Sequence, residues 1–349
     1  MSAARLALTA NGMVCAVGFY ATAACAAIRA GISGFAELRY ADNDGVPIRG
    51  ARVPPSSRQV AESGPERIVD LLALALIDCM NEAPSHDLEA IPLLVGVAEH
   101  DRPGGLSPAQ AGGLLAALDR RAGLRFHPRL SRVFTTGHTA AFRALDTARE
   151  IVAGRAASAC LVAGVDSYLN PETLLWLDSH ARLKTPRNSD GVVPGEAAAC
   201  VLVERPARPP RGVLELAGLG FGHERAAVLT EEPPLQGLGL TAAVREALAE
   251  AGLQIHEVDV RSSDVAGEGY AFKELALSLQ KLMRVRRDVL PIWHAADIIG
   301  DTGAAAGAVQ LVIAMQALRR GYAPGRRFVC HASAVPGDRA AAILEGRVP

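Results

Sequence analysis

The stretch Ala295-Ala-Asp-Ile-Ile-Gly-Asp-Thr-Gly-Ala-Ala-Ala-Gly307 is a glycine-rich turn that opens onto a run of small residues. Asp301 stands just before Gly303, a position from which a carboxylate can cap the free N–H groups of a helix. A helix is expected near Ala304 to Arg320, set between a strand at Leu290 to Trp293 and another at Phe328 to His331.

The same alternation extends through the chain and predicts an α/β architecture with largely buried sheets. In the first half, strands are expected at Leu6 to Thr9, Leu93 to Val97, Ala159 to Val165 and Ala199 to Glu204. Helices fall between them near Thr22 to Ala30, Pro65 to Glu82, Pro108 to Arg121 and Thr139 to Ala153. A Pro/Arg-rich junction spans Arg205 to Arg211, after which the pattern restarts. Strands near Val213 to Leu219, Val258 to Ser263 and Ala341 to Leu344 join the two already named, with helices near Thr241 to Ala251 and Ala271 to Leu282. The repeated order suggests an internal duplication, residues 1–205 and 212–349, packed as one body. Ala41 to Gly64 and Thr185 to Gly195, rich in Gly, Pro, Asp, Ser and Arg, read as surface loops.

Composition narrows the function classes. The 349 residues carry 36 basic and 37 acidic side chains, a formal charge of −1, which gives no global field for nucleic acid or an anionic membrane. No stretch is long and apolar enough to span a bilayer, and the N-terminus lacks the pattern of a secretion signal, so a cytoplasmic protein is expected. The six cysteines are scattered without CxxC spacing, and Cys160 and Cys200 lie in apolar runs, which predicts buried reduced thiols and no zinc site.

Several segments resemble the β-ketoacyl synthase branch of the thiolase superfamily. Arg5-Leu-Ala-Leu-Thr-Ala-Asn-Gly-Met-Val-Cys-Ala-Val-Gly18 is similar to its first strand and turn, and Ala30-Gly-Ile-Ser-Gly34 to the end of its first helix. Ala163-Gly-Val-Asp-Ser167 is similar to the strand end after the nucleophile helix. Ser189-Asp-Gly-Val-Val-Pro-Gly-Glu196 resembles the family's Asp-Gly…Gly-Glu segment, and Gly300 to Gly307 its late helix start. In order, these cover nearly the whole chain. The resemblance implies a thiolase-like five-layer αβαβα fold of two pseudo-repeated halves, a dimer, no cofactor, and substrates carried as thioesters on acyl carrier protein or coenzyme A.

The family's catalytic positions are replaced. Its nucleophilic cysteine sits at a helix N-terminus, where the dipole and backbone N–H groups favour thiolate and oxyanion. The matching turn here is Phe134-Thr-Thr-Gly-His-Thr-Ala-Ala-Phe142, with His138 in the nucleophile's place. The first catalytic histidine falls on Ala266, with Glu268 two positions on; the second falls on Asp301, and the lysine on Ala296. The gate near the end has become Cys330-His-Ala-Ser-Ala-Val-Pro-Gly-Asp-Arg339. On this alignment His138, Glu268 and Asp301 are the candidate catalytic residues, and Thr136 and His331 the candidate substrate contacts.

A carboxylate beside an imidazole raises the histidine pKa and fixes its tautomer, the arrangement used in general acid/base work. Each residue also has a structural alternative: His138 satisfying backbone groups, Glu268 capping the helix near Ala271, Asp301 capping the helix near Gly303. A metal site from His138, Glu268 and Asp301 has no support in their spacing. His294 and Asp297 stand at i, i+3, the remaining histidines, among them His180 and His223, receive no assignment, and no metal is expected.

Two functions follow from the resemblance. The first is acyl transfer or thioester hydrolysis in fatty-acid or polyketide-type metabolism, with His138 as general base, or as acyl acceptor, assisted by the two carboxylates. The second is a non-catalytic partner, similar to chain length factors, in a heterodimer with an active ketosynthase homologue.

Overall fold

The computed structural model describes residues 6–55, 60–205, 212–230 and 232–347. Arg5, part of the loop expected at Ala41 to Gly64, and nearly all of the Arg205 to Arg211 junction fall outside them. The first part of the chain runs β1 (Leu6–Cys15), α1 (Ala21–Arg29), β2 (Ala36–Ala41), β3 (Pro47–Gly50), α2 (Gly64–Glu82) and β4 (Leu93–Gly96). It continues through α3 (Pro108–Gly112), α4 (Leu114–Ala122), β5 (Arg132–Phe134), α5 (Ala140–Ala153), β6 (Ala159–Ser167), α6 (Pro171–Ser179) and β7 (Glu196–Glu204). The second part has β8 (Leu214–His223), α7 (Leu238–Ala251), β9 (Val260–Ser263), α8 (Gly269–Leu282) and β10 (Ile292–Trp293). It ends with α9 (Ala296–Ile299), α10 (Ala306–Arg319), β11 (Arg327–Ser333) and β12 (Asp338–Gly346).

The strands form a sheet in the order β10-β9-β11-β12-β8-β1-β7-β6-β4-β5. From each edge inward the pairings repeat, two parallel and then two antiparallel. The halves meet where Leu6–Leu8 of β1 pair antiparallel with Leu214–Leu216 of β8. Helices α5 and α10 touch strands of both halves and lie between them; α2 and α4 cover one outer face and α7 and α8 the other. That is the five-layer αβαβα arrangement. α10 is buried from Ala306 to Ala317, which explains its all-round small and apolar sequence.

Glycines let helices rest directly on strands. A Cβ on Gly218, Gly220 or Gly222 of β8 would come within 2.1, 2.1 or 2.2 Å of carbonyl oxygens of α7, and one on Gly12 of β1 within 2.1 Å of Ala75 O on α2.

Some expected elements change. The single helix expected at Pro108 to Arg121 is two helices that part at Gly113, where adjacent glycines weaken helical continuity. β2 and β3 form a hairpin partly inside the region read as a loop. α6 was absent from the sequence reading, although Asn170 caps it through Thr173 N–H at 2.9 Å with Pro171 at its first position.

Candidate functional site

The two central helices start from matching turns. Gly137 (φ 55°) opens a 3-10 turn, Gly137–Thr139, ahead of α5, and Gly303 (φ 51°) opens Gly303–Ala305 ahead of α10. Both glycines sit against carboxylates: a Cβ on Gly137 would lie 2.0 Å from Glu99 Oε1, and one on Gly303 2.1 Å from Asp166 Oδ2. Positive φ and close approach together demand glycine here. Carboxylates at helix starts are favoured by the helix dipole and the free N–H groups.

Asp166, at the end of β6, accepts the Ala304 N–H at 2.9 Å and takes Arg102 in two bonds of 2.8 and 2.5 Å. The Arg102 guanidinium lies 4.4 Å above the Tyr168 ring. Asp301 is held by its backbone, its N–H on Val193 O at 2.8 Å and its carbonyl accepting Gly195 N–H at 2.9 Å, so the Ser189 to Glu196 segment fixes its place.

At the centre, His138 Nε2 lies 2.9 Å from Asp301 Oδ1, which also accepts the Gly303 N–H at 2.9 Å. Both side chains are buried. Burial disfavours the imidazolium, but Asp301, aided by Asp264 and Glu99, outweighs it and holds the His138 pKa up at about 9. Burial likewise opposes ionisation of Asp301, yet His138, the Gly303 N–H and Arg182 keep it below the usual carboxylate range. Burial pushes Asp264 up to about 6 against the attraction of His138 and a 2.7 Å bond from Ser333 N–H. At neutral pH the pair is therefore an imidazolium and a carboxylate. His138 Nδ1 and Thr136 Oγ1 are buried without a hydrogen-bond partner among the described residues.

The structure brings together His138 and Asp301 of the expected residues, with Thr136 two positions before His138 at the start of the same 3-10 turn. Glu268 and His331 make no side-chain hydrogen bond to either His138 or Asp301 among the described residues. Glu268 begins α8 but makes no side-chain cap; both its oxygens are bound by Arg182, at 2.7 Å each. The reason is local charge: Arg182 is mostly buried and needs a counter-ion there. His331 alternates on β11 with Cys330 and Ala332 of the central core, so its ring faces Val329's side, toward the α7 and α8 layer. Burial and the nearby Arg261 charge lower its pKa to about 3. Among the described residues His138, Glu268 and Asp301 do not gather into a group that could hold a metal ion. His294 Nδ1 lies 3.1 Å from Asp297 Oδ2.

Sequence reading passed over Asp264, Glu99 and the Arg102–Asp166 pair. Asp264 directly follows β9, which pairs in parallel with its neighbours, and the carboxyl ends of such strands are where α/β proteins gather functional groups. A cavity of about 560 Å³ reaches Asp264 and Asp301 between α1, β10, α9 and α10. His138 is not among its lining residues.

Comparisons with known proteins agree with this fold. Residues 130–208 match the family model for the β-ketoacyl synthase N-terminal domain. The 3-oxoacyl-[acyl-carrier-protein] synthase 2 of Coxiella burnetii is 26% identical over 193 residues, 54% of this chain and 47% of that protein, so the match spans about half the length of the relative. Among solved structures, the complex of ketosynthase ApeO with its chain length factor ApeC from Xenorhabdus doucetiae aligns with TM-score 0.78 and 17% identity over 98% of both chains. The ishigamide ketosynthase/chain length factor gives 0.78 and 20%, over 98% of this chain and 99% of that one. The chain therefore has the fold of these ketosynthase structures, and its segment 130–208, which carries His138, is similar to the β-ketoacyl synthase N-terminal domain.

Proposed function

We propose that the chain is an acyl-handling ketosynthase-like subunit that leaves condensation to a catalytic partner, in the manner of a chain length factor. The observation that carries this reading is the His138–Asp301 pair: the residue in the nucleophile's place is buried, charged at neutral pH, and bound to a carboxylate. A protonated imidazole is neither a general base nor a nucleophile. Similarity to complexes of ketosynthases with chain length factors supports the same role.

Co-expression with a cysteine-bearing ketosynthase from the same source tests it. A stable 1:1 complex with condensing activity that survives His138→Ala is expected. Thiol release by the purified chain alone from acyl-carrier-protein or coenzyme A thioesters, abolished in the same variant, would overturn it.

One observation favours the second reading, acyl transfer or thioester hydrolysis by this chain. Its Nε2 taken by Asp301, His138 retains an unpartnered Nδ1–H that can donate to a thioester carbonyl oxygen, making it an electrophile in place of the expected base. The thiol-release assay separates the two.

A further inference from the structure

The cavity at Asp264 and Asp301 has a definite charge pattern. Its walls are apolar, built from Ile28, Ile292, Trp293, Ile298, Val309 and Ile313. Its volume of about 560 Å³ fits a drug-sized or acyl-sized guest. The inner end is polar: Asp301, Ser262 and Gln310 are buried, and Asp264 stands beside them. Arg29 and Asp297, both exposed, mark the opening, with His294 near Asp297.

The hydrogen bonds these two aspartates receive from protein fall on Asp301 Oδ1 and Asp264 Oδ2. Asp301 Oδ2 and Asp264 Oδ1 are left without one among the described residues. Charges behind the inner end do not cancel theirs. His138 balances Asp301; Arg339 is held by Glu274, to which its Nε donates at 2.7 Å. One carboxylate charge remains when Asp264 is ionised.

We infer that this cavity takes an acyl chain whose far end bears an amine, and disfavours chains that end in a carboxylate. The alkyl part is buried on the apolar walls. An ammonium at the inner end donates to the two free carboxylate oxygens, a charge-assisted contact, whereas a dicarboxylic acyl group meets like charge in a poorly solvated place. The inference rests on the acyl-handling reading of the chain and adds the chemistry of the acyl end.

Trp293 in the wall supplies the signal, read in a Trp176→Phe background to remove the other tryptophan. Hexylamine, hexanol and hexanoate are titrated first, followed by the 6-aminohexanoyl, hexanoyl and adipoyl thioesters of pantetheine. The amine is expected to bind roughly tenfold more tightly than hexanoate near neutral pH. The preference should shrink as pH falls through about 6, where Asp264, facing His138, Asp301 and Arg339, takes up a proton. Asp264→Asn should erase it while hexanol binding persists, which shows that the cavity is intact. Equal binding of amine and hexanoate, or no binding of any probe, would overturn the inference. Tight hexylamine binding with no thioester binding would overturn the acyl reading and the substrate class, separately from the charge preference.

Discussion

Arg182 grips Glu268 through two parallel hydrogen bonds of 2.7 Å, joining the segment after α6 to the start of α8. Truncating one member of such a mostly buried pair strands the other charge, so Glu268→Ala should cost roughly 3 kcal/mol in urea unfolding. Removing both residues should cost less than the two single losses summed. Were Glu268→Ala harmless to folding but damaging to acyl binding, the residue would belong to the site after all.

Stability should follow the charge of His138. Its pKa rises from an unfolded value of 6.5 to about 9. A raised value means that the stabilisation is complete below 6.5 and is lost as pH climbs through about 9. The loss should be on the order of 3 kcal/mol, from the shift at about 1.4 kcal/mol per pKa unit. Thermal denaturation of the native chain should decline across that window, and His138→Gln should flatten the decline. Asp264 is also raised, so its ionisation weakens the fold between about 4 and about 6, and Asp264→Asn should be more stable at neutral pH.

Gly137 tests the turn that presents His138. Gly137→Ala combines a left-handed backbone with a Cβ 2.0 Å from Glu99 Oε1. A loss of about 2 kcal/mol or more is expected. Adding Glu99→Ala should recover the steric part and leave the backbone strain, a partial rescue visible in a double-mutant cycle. Full additivity would mean that the two residues do not meet.

Two further glycines should respond with opposite sign. Gly220→Ala drives a methyl into Ala243 O and should unfold or severely destabilise the protein. Gly112→Ala, at a position with open space and ordinary φ, should raise stability by about 0.5–1 kcal/mol. Melting temperatures of the two variants provide the comparison.

The fold was largely legible because its signals are local. The apolar runs at Leu93 and Ala159 became β4 and β6, and the periodic stretch from Pro65 became α2, with ends displaced by a residue or two. β2 escaped because its residues are mostly exposed and present no buried alternation. The site was legible in part. His138 and Asp301 lie at helix starts with glycine signatures, and 163 residues separate them along the chain, so the sequence offered their turns but not their contact. The pairing of Glu268 with Arg182 is hidden in the sequence, because Arg182 lies 86 residues away with no motif to announce it. Asp264 has no local signature, because only the parallel pairing of β9 with β10 and β11 brings this strand-end carboxylate to the cavity.

The all-round burial of α10 bears on how the molecule comes apart. A helix enclosed by both halves of the sheet releases its amide protons to solvent only when the whole structure opens, so Ala308 to Ala317 should be the slowest segment in hydrogen exchange. Asp301, Gly303 and the cavity wall at Val309 and Ile313 sit on or beside that segment. The acidic end of the cavity is thereby tied to the last part of the protein to melt, and it should keep its shape through the partial openings that fray the outer helices.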